Sequence, residues 1–297
     1  RTIDDKQLIS IALEDKSKTL EEKPYYELVF VVLVYRNIEV LRQFFATLSL
    51  SCSYRVIVVN SFYDHDTEDE CRQLSVEHGA DFVAVPNRGF GAGNNVGCKY
   101  AVDYYRYRFL ILSNSDIMIQ DISHLREMDD HKAVYAADVR MENGHRQNPH
   151  LPFKVGLYLK LLDLSYRWKS NLLMNVAFAF NRLLRELVVA WAKLTGKSKV
   201  RIFSAHGSFI VFTYQASIEL NPIFHADMFL YNEELYLAHR CRLLQIPVYY
   251  VPKVKVTHLE GASSTKQSNA WKNHEESYRV LSSWLKDNRV YQKKLLS

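Results

Sequence analysis

Residues 28–35 read Leu28-Val29-Phe30-Val31-Val32-Leu33-Val34-Tyr35, a continuous apolar run rich in β-branched side chains. Such a run is typical of a strand that is buried on both faces of a parallel sheet. Asn37 follows it, and its side chain is placed to cap an amphipathic helix over residues 38–48. The run therefore predicts the first strand–helix unit of the folded part of the chain.

The same alternation continues to about residue 116. Strands are predicted at 55–59, 81–85 and 108–112, and helices at 66–78 and 91–105. Strands that alternate with helices in this way predict an α/β fold, a Rossmann-like, mainly parallel sheet with helices on both faces. The loops that follow the strands then lie at one edge of the sheet, where such folds bind ligands.

Composition narrows the class of protein. The chain has 297 residues, of which 48% are hydrophobic and 24% charged, with only 10 Gly and 7 Pro, so it is neither disordered nor collagenous. A net charge of +5 argues against a dedicated nucleic-acid binder, and no nucleic-acid partner is expected. Four widely spaced cysteines predict reduced thiols and a cytoplasmic location. Residues 1–24 carry too many charges for a signal peptide and predict a helical appendage.

Residues 151–201 differ from the rest of the chain. They contain ten Lys and Arg against two acidic residues, a net charge of +8, which leaves −3 for the remainder. Leu, Phe, Tyr and Trp are spread around much of the predicted helical circumference between residues 153 and 194. A basic, apolar helical insert of this kind suits contact with an anionic membrane surface. A helical lid or a dimer contact is the alternative. Its longest uncharged stretch, 170–181, is too short to cross a bilayer, which takes about 20 residues.

A Gly/Asn segment follows the third predicted strand and opens a helix. It reads Asn87-Arg88-Gly89-Phe90-Gly91-Ala92-Gly93-Asn94-Asn95-Val96-Gly97. Free backbone amides at a helix start are candidate ligands for phosphate or sugar oxygens. The segment is not a dinucleotide fingerprint, because that pattern requires glycine where Asn94 or Val96 stands.

Three further elements carry candidate chemistry. Asn114-Ser115-Asp116 follows the fourth strand. A carboxylate at this place suits Mg²⁺ or Mn²⁺ bound to a diphosphate, but an aspartate there is also a common turn former. Glu233 and Glu234 open a predicted helix, where acids complement the helix dipole or act as a general base. His258 follows the last predicted strand, 248–256. An isolated histidine is not by itself evidence of a functional site, so its role depends on the residues around it.

Taken in order, these motifs resemble the inverting family 2 glycosyltransferases of GT-A fold, in particular the rhamnosyltransferase-like branch that builds bacterial surface polysaccharides. The resemblance covers about residues 28–264. It rests on the first strand and turn, the Gly/Asn segment, Asn114-x-Asp116, Tyr231-x-Glu233-Glu234, Arg240, and His258-x-x-Gly261-x-Ser263.

The resemblance implies a role for each motif. Glu234 stands at the position of the catalytic base with Glu233 beside it, and Arg240 either assists the leaving diphosphate or supports its helix. Asp116, His258 and Asn114 stand at the metal-binding positions for Mg²⁺ or Mn²⁺. The donor-binding positions are Val34, Tyr35, Asn37, Asn60, Asn87, Gly89, Phe90, Gly91, Gly93, Asn95, Asn114 and Ser115.

Three positions depart from the family pattern. Asn114 replaces the first acid of the D-x-D motif, Glu234 replaces an aspartate, and Asn60 replaces the acid that commonly contacts the base. Two other classes therefore stay open. One is an inactive nucleotide- or glycan-binding protein of the same fold. The other is a nucleotidyltransferase, which usually carries a Gly-rich loop directly after its first strand, where this chain has Tyr35-Arg36-Asn37.

The resemblance also implies a domain plan and partners. Residues 25–150 form the nucleotide-sugar-binding half, 204–264 the acceptor and catalytic half, 151–203 the helical insert and 265–297 a C-terminal helix. The partners are a UDP- or dTDP-sugar and a glycan acceptor, expected to be linked to a polyprenyl diphosphate at the inner face of the plasma membrane. The insert and the C-terminal helix are candidate homodimer contacts.

Overall fold

The protein is represented by a computed structural model that describes residues 22–259 and 270–288. The strands are β1 (Tyr25–Val34), β2 (Tyr54–Ser61), β3 (Asp81–Val85), β4 (Arg106–Asn114), β5 (Ile117–Asp121), β6 (Val134–Met141), β7 (Val200–Ile202), β8 (Phe209–Thr213) and β9 (Val248–His258). The helices are α1 (Ile38–Thr47), α2 (His65–Glu77), α3 (Phe90–Tyr104), α4 (Gly156–Arg167), α5 (Asn171–Thr195), α6 (Tyr214–Glu219), α7 (Glu233–Leu243) and α8 (Ala270–Asp287). The predicted appendage 1–24 lies outside the described residues except for residues 22–24. Gly261 and Ser263 of the predicted His258 motif also lie outside them.

All the described strands belong to one mixed sheet in the order β3-β2-β1-β4-β8-β6-β9-β5, with β7 paired to β9 beside that path. The pairs β3–β2, β2–β1, β1–β4 and β6–β9 are parallel, and the others are antiparallel. This confirms the predicted α/β fold. Residues 200–202 were placed in the insert by the sequence, but they form β7 and belong to the sheet.

Helices cover both faces of the sheet. On one face, Leu41 and Phe44 of α1 and Leu74 of α2 pack on strand residues such as Phe30 and Val58. On the other face, Cys98 and Ala101 of α3 and Ala216 of α6 pack on the alternate strand residues, among them Val31 and Val59. The central strands are therefore buried on both sides, as their continuous apolar runs predict.

A third apolar cluster joins the insert to the C-terminal helix. Tyr166 of α4 lies 4.8 Å, ring centroid to ring centroid, from Tyr278 of α8. Leu235 and Tyr236 of α7 belong to the same cluster. None of the helices in the described ranges combines the length and apolar composition needed to cross a bilayer. The four cysteines are unpaired, as predicted.

Candidate active site

The site lies where the order of the parallel strands reverses. The chain runs outward from β1 through β2 to β3 and then returns to β4 on the other side of β1. In open α/β sheets a crevice forms at this switch point, beyond the carboxyl ends of the strands. Leu33 of β1 pairs with Asn114 of β4, so the turn after β1 and the Asn114–Asp116 loop lie side by side.

Strand pairing brings Asp116 and His258 together. β5 and β9 are antiparallel with Ile117 opposite His258, and the N–H of Leu259 donates to the carbonyl of Asp116 at 2.9 Å. As a result, Oδ1 of Asp116 lies 3.1 Å from Nε2 of His258. Both side chains are buried, and the pair forms the floor of the site.

The chemistry of this pair fits a divalent cation. Nδ1 of His258 lies 2.8 Å from Oε1 of Gln147, so the ring donates its proton to that amide oxygen and turns the lone pair of Nε2 toward Asp116. Oδ1 of Asp116 and Nε2 of His258 then face each other as two acceptors. Either a bound cation or a proton on Nε2 would satisfy both. No cluster of three His, Cys, Asp or Glu side chains suited to a metal occurs in residues 22–259 and 270–288. The pair comprises one carboxylate and one imidazole, and Mg²⁺ is commonly held by one or two carboxylates together with substrate phosphates.

Glu234 lies in the first turn of α7 and points toward the loop before β8. Its Oε1 accepts a hydrogen bond of 3.2 Å from the N–H of Gly207, and its carbonyl accepts one of 3.0 Å from Oγ of Ser204. Tyr231 and Asn232, just before α7, both have left-handed backbone conformations, with φ of 76° and 65°. This turn sets the direction in which the helix enters the site.

The two adjacent glutamates have opposite electrostatic environments. Burial and the neighbouring charge of Glu234 raise the pKa of Glu233 well above its usual value. Burial also acts to raise the pKa of Glu234, but the adjacent His150 and His206 and the N–H of Gly207 outweigh it and lower the pKa. The pKa values of the two neighbouring glutamates are therefore shifted apart, and Glu234 has the lower one.

His206 connects Glu234 to the Asp116–His258 pair. Its ring centroid lies 6.1 Å from that of His258 and 5.8 Å from that of His150. Burial acts to lower the pKa of His206 and the carboxylate of Glu234 acts to raise it, and the net direction is downward. The structure thus brings Asp116, Glu234 and His258, three candidates from distant parts of the sequence, around one histidine.

Sequence reasoning missed His150 and His206. One signal was present for His206: the polar trio His206-Gly207-Ser208 immediately precedes an apolar strand. β8 is antiparallel to β4, with Ser113 opposite Phe209. The residues before β8 therefore lie at the same edge as the residues after β4, and the backbone N–H of Asn114 donates to the carbonyl of Ser208 at 2.9 Å.

The predicted donor pocket at the ends of β1 and β2 contains an aromatic and cationic cluster. The rings of Tyr35 and Tyr63 lie 5.9 Å apart, and the guanidinium of Arg36 lies within 5 Å of both, at 4.9 and 4.3 Å from their centroids. Asn60 is fully buried at the end of β2, and neither its amide nitrogen nor its amide oxygen has a hydrogen-bond partner in the described residues. Such an orphaned amide is rare in a native fold.

Two other residues predicted to bind the donor have structural contacts. Val34 is fully buried in the core. The side chain of Asn37 accepts a 3.0 Å hydrogen bond from the N–H of Glu39 and caps α1, as the sequence predicts.

Close packing accounts for much of the Gly/Asn segment. A Cβ at Gly97 would overlap Val31, and one at Gly93 would lie 2.6 Å from Cδ1 of Leu33, so α3 sits directly on the sheet. Gly89, with φ of 102°, packs on the backbone of Phe229, and a Cβ at Gly91 would lie 2.8 Å from Cβ of Phe224.

Asparagines in this segment bind the protein itself. The side chain of Asn95 makes two hydrogen bonds with the backbone of Phe224, at 2.8 and 2.9 Å, and Oδ1 of Asn87 accepts from the N–H of Gly89. Phe90 lies 5.7 Å from Phe224, ring centroid to ring centroid. These contacts fix the segment without a ligand, and donor binding by its residues stays a prediction.

Arg240 supports the fold around α7. Its guanidinium donates to the carbonyls of Leu220, Pro222 and Ile223. Of the two roles that the resemblance leaves open for Arg240, this geometry is that of a residue supporting its helix.

Two solved structures share this fold. The mannosyltransferase PcManGT from Pyrobaculum calidifontis, in complex with GDP-Man and Mn²⁺, matches with a TM-score of 0.50 and 13% identity over 90% of this chain and 66% of its own. GalNAc-T7, with UDP, GalNAc and Mn²⁺, matches with a TM-score of 0.52 and 11% identity over 88% of this chain and 48% of its own. No protein-family model and no curated protein matches the sequence.

At these identities the likeness establishes the fold. The chain has the GT-A-like α/β architecture of these glycosyltransferases. It spans between about half and two thirds of the length of the two structures that it matches.

Proposed function

We propose that the protein is an inverting glycosyltransferase that moves a sugar from a UDP- or dTDP-sugar to a hydroxyl of a glycan acceptor. One observation carries the proposal: an ionised Glu234 and the buried Asp116–His258 pair meet around His206 at the switch point of the sheet. The fold adds support, because both structural neighbours are nucleotide-sugar enzymes that were solved with a nucleotide and Mn²⁺.

Glu234 is the general base in this proposal. Its carboxylate accepts the proton of the acceptor hydroxyl as the oxygen attacks the anomeric carbon from the face opposite the leaving group. The C–O bond to the nucleoside diphosphate breaks in the same step, so the configuration at that carbon inverts. Burial raises the pKa of Glu233 and so favours its protonated form, and the role of base therefore falls to Glu234.

Asp116 and His258 would hold Mg²⁺ or Mn²⁺, with Asn114 beside them. The cation, when bound, supplies positive charge that stabilises the diphosphate leaving group. Gln147 orients the imidazole of His258 so that Nε2 faces the site. His206 hydrogen-bonds through Nδ1 to Oγ of Ser208, at 2.9 Å, which keeps its ring fixed between the base and the proposed metal ligands.

Tyr35 and Asn60 would bind the nucleoside. The ring of Tyr35 offers a flat apolar surface for a base. The amide of Asn60 offers one donor and one acceptor, which the imide edge of uracil or thymine requires. Both of these amide atoms lack partners in the described residues, so a bound base would satisfy groups that are otherwise buried without hydrogen bonds.

The wider context is also part of the proposal. The motifs resemble those of the family 2, rhamnosyltransferase-like branch of bacterial surface polysaccharide synthesis. The acceptor is then a glycan on a polyprenyl diphosphate, at the inner face of the plasma membrane. The basic insert supports this location, because acidic phospholipids attract clustered Lys and Arg.

A thermal-shift panel of UDP-, dTDP- and GDP-sugars, with and without Mn²⁺, tests the proposal. The expected result is a rise in melting temperature with one class of nucleotide sugar, larger when Mn²⁺ is present. Binding without hydrolysis or transfer to any acceptor would instead identify a binding protein. No shift with any nucleotide sugar would reject the proposed function.

A further inference from the structure

The long helix of the insert, α5, carries an apolar stripe that faces solvent. Leu172 and Leu194, at its two ends, are 74% and 87% exposed. The spacing of three to four residues places the stripe on one side of the helix over six turns, a length of about 33 Å. Its members are Leu172, Val176, Ala179, Leu183, Leu187, Ala190, Trp191 and Leu194. We call this set the outer stripe.

The outer stripe is not the side by which α5 joins the fold. The buried residues of the helix are Ala177, Asn181, Val188, Val189 and Ala192, and they lie on the opposite side. Asn181 fixes that side, because its amide nitrogen donates to the carbonyl of His150 at 2.7 Å. The helix is therefore apolar on two opposite sides, and in the described chain only one of them is covered. A surface helix needs a single apolar side, so the outer stripe requires another explanation.

Basic side chains border this surface. Arg182 and Lys193 flank the outer stripe on α5, and Lys160 and Lys169 extend the basic character to α4 and the turn after it; all four are exposed. In residues 22–259 and 270–288, none of these four has a carboxylate within 4.0 Å. Glu186, the one acid of α5, forms an ion pair with Arg146 at 2.8 Å.

Two tryptophans lie near this surface. Trp168, in the turn between α4 and α5, is 69% exposed, and Trp191 belongs to the outer stripe and is 45% exposed. The ammonium of Lys197 lies 4.6 Å from the ring of Trp191. Tryptophan beside lysine is the combination that favours the boundary between acyl chains and headgroups.

We propose that the outer stripe of α5 docks on a bilayer containing anionic phospholipid, with α5 lying in the plane of the interface. An apolar stripe bordered by unpaired Lys and Arg is complementary to acyl chains below negative headgroups. A second copy of the chain is a poorer occupant, because it would place one insert of net charge +8 against another. The inference deepens the membrane location proposed above, but its test involves no donor and no transfer, so the two can fail separately.

Cosedimentation with vesicles tests the docking. The full chain is mixed with vesicles of phosphatidylcholine, or of equal parts phosphatidylcholine and phosphatidylglycerol. The chain should pellet with the anionic vesicles, remain largely soluble with the neutral ones, and dissociate as salt is raised. In the same samples, tryptophan emission should shift to shorter wavelength only with anionic vesicles.

Two double variants separate the apolar and electrostatic contributions. L183E/L187E places charge in the middle of the outer stripe, at residues that are 60% and 58% exposed, and should abolish pelleting. K193E/K197E should lower the affinity for anionic vesicles by at least about tenfold. Each basic residue near an anionic surface contributes about fivefold to that affinity. Lys199 is unsuitable, because it is engaged by Asp130.

V76E is the matched control. Val76, on α2, is 72% exposed and distant from the insert in the fold, so V76E should pellet as the unmodified chain does. Pelleting of L183E/L187E equal to that of the unmodified chain would overturn the proposal. So would failure of the unmodified chain to bind anionic vesicles, or a concentration-dependent dimer that L183E/L187E abolishes while vesicle binding persists. The tryptophan shift of the unmodified chain decides the question if that variant does not fold.

Discussion

Oδ1 of Asp116 lies 3.1 Å from Nε2 of His258, although almost half of the chain separates the two residues. The contact follows from the sheet, because β5 leaves Asp116 and pairs antiparallel with β9 so that Ile117 faces His258. Backbone register, rather than loop conformation, therefore holds the two proposed metal ligands together. A site built on strands is held more rigidly than one built on loops.

The first prediction concerns the proposed base. E234Q removes the proton acceptor while keeping the shape of the side chain and its hydrogen bond from Gly207. Turnover should fall by about 10²- to 10⁴-fold, the usual contribution of a general base. Donor binding, measured by calorimetry, should change little. E70Q, an exposed substitution on α2, is the control and should match the unmodified enzyme. Full activity in E234Q would remove Glu234 from the mechanism.

The second prediction concerns stability and pH. Glu233 has a pKa raised above its ordinary value of 4.5, so the folded protein binds a proton that the unfolded chain releases. The free energy of unfolding then decreases as pH rises above about 4.5. E233Q removes the free-energy cost of protonating Glu233 in the folded state. It should therefore stabilise the protein at pH 7 by about 1 kcal/mol. Urea unfolding of both proteins from pH 4 to 8 measures the difference, which should vanish toward the acid end. A constant difference would mean that the pKa of Glu233 is not raised in the fold.

The third prediction concerns the packing of α3. A Cβ at Gly97 would overlap Val31 and lie 2.8 Å from Cγ2 of Val59. G97A should destabilise the protein by about 1 to 3 kcal/mol, because overpacking outweighs the gain in helix propensity. G156A is the control, since nothing lies within 4 Å of its Cβ and α4 begins there. Thermal melts should show G97A lowered and G156A unchanged or raised; equal melting temperatures would contradict the packing seen for α3.

Much of the fold follows from local sequence patterns. Short apolar runs predict β1 and β3. The periodicity of its apolar residues and the Asn37 cap predict α1. The rule that loops after parallel strands share one edge groups Tyr35, Asn60 and Asp116 without any coordinates. These predictions need only information from residues that are close in sequence.

The missed strand β6 shows what such patterns lack. Its sequence contains a charged Asp138, which argues against a buried strand when read alone. In the fold Asp138 is buried, and it accepts hydrogen bonds from Arg146 at 2.8 Å and from the hydroxyl of Tyr250 at 3.0 Å. The cations that compensate the charge, on Arg140 and Arg146, are close in sequence, but their ion pairs with Asp138 are visible only in the folded chain. His150 and His206 were missed for the same reason, since only the folded chain places them beside Glu234.

The most direct test of the proposed site is calorimetric binding of the nucleoside diphosphate that the thermal-shift panel selects, with and without Mn²⁺. D116N and H258A should each lose at least about tenfold of the Mn²⁺-dependent affinity, since even outer partners of metal ligands cost that much. E234Q, tested alongside them, should bind as the unmodified protein does while failing to turn over. If D116N and H258A bind the nucleotide and Mn²⁺ as tightly as the unmodified protein, the proposed metal and diphosphate site is not at Asp116 and His258.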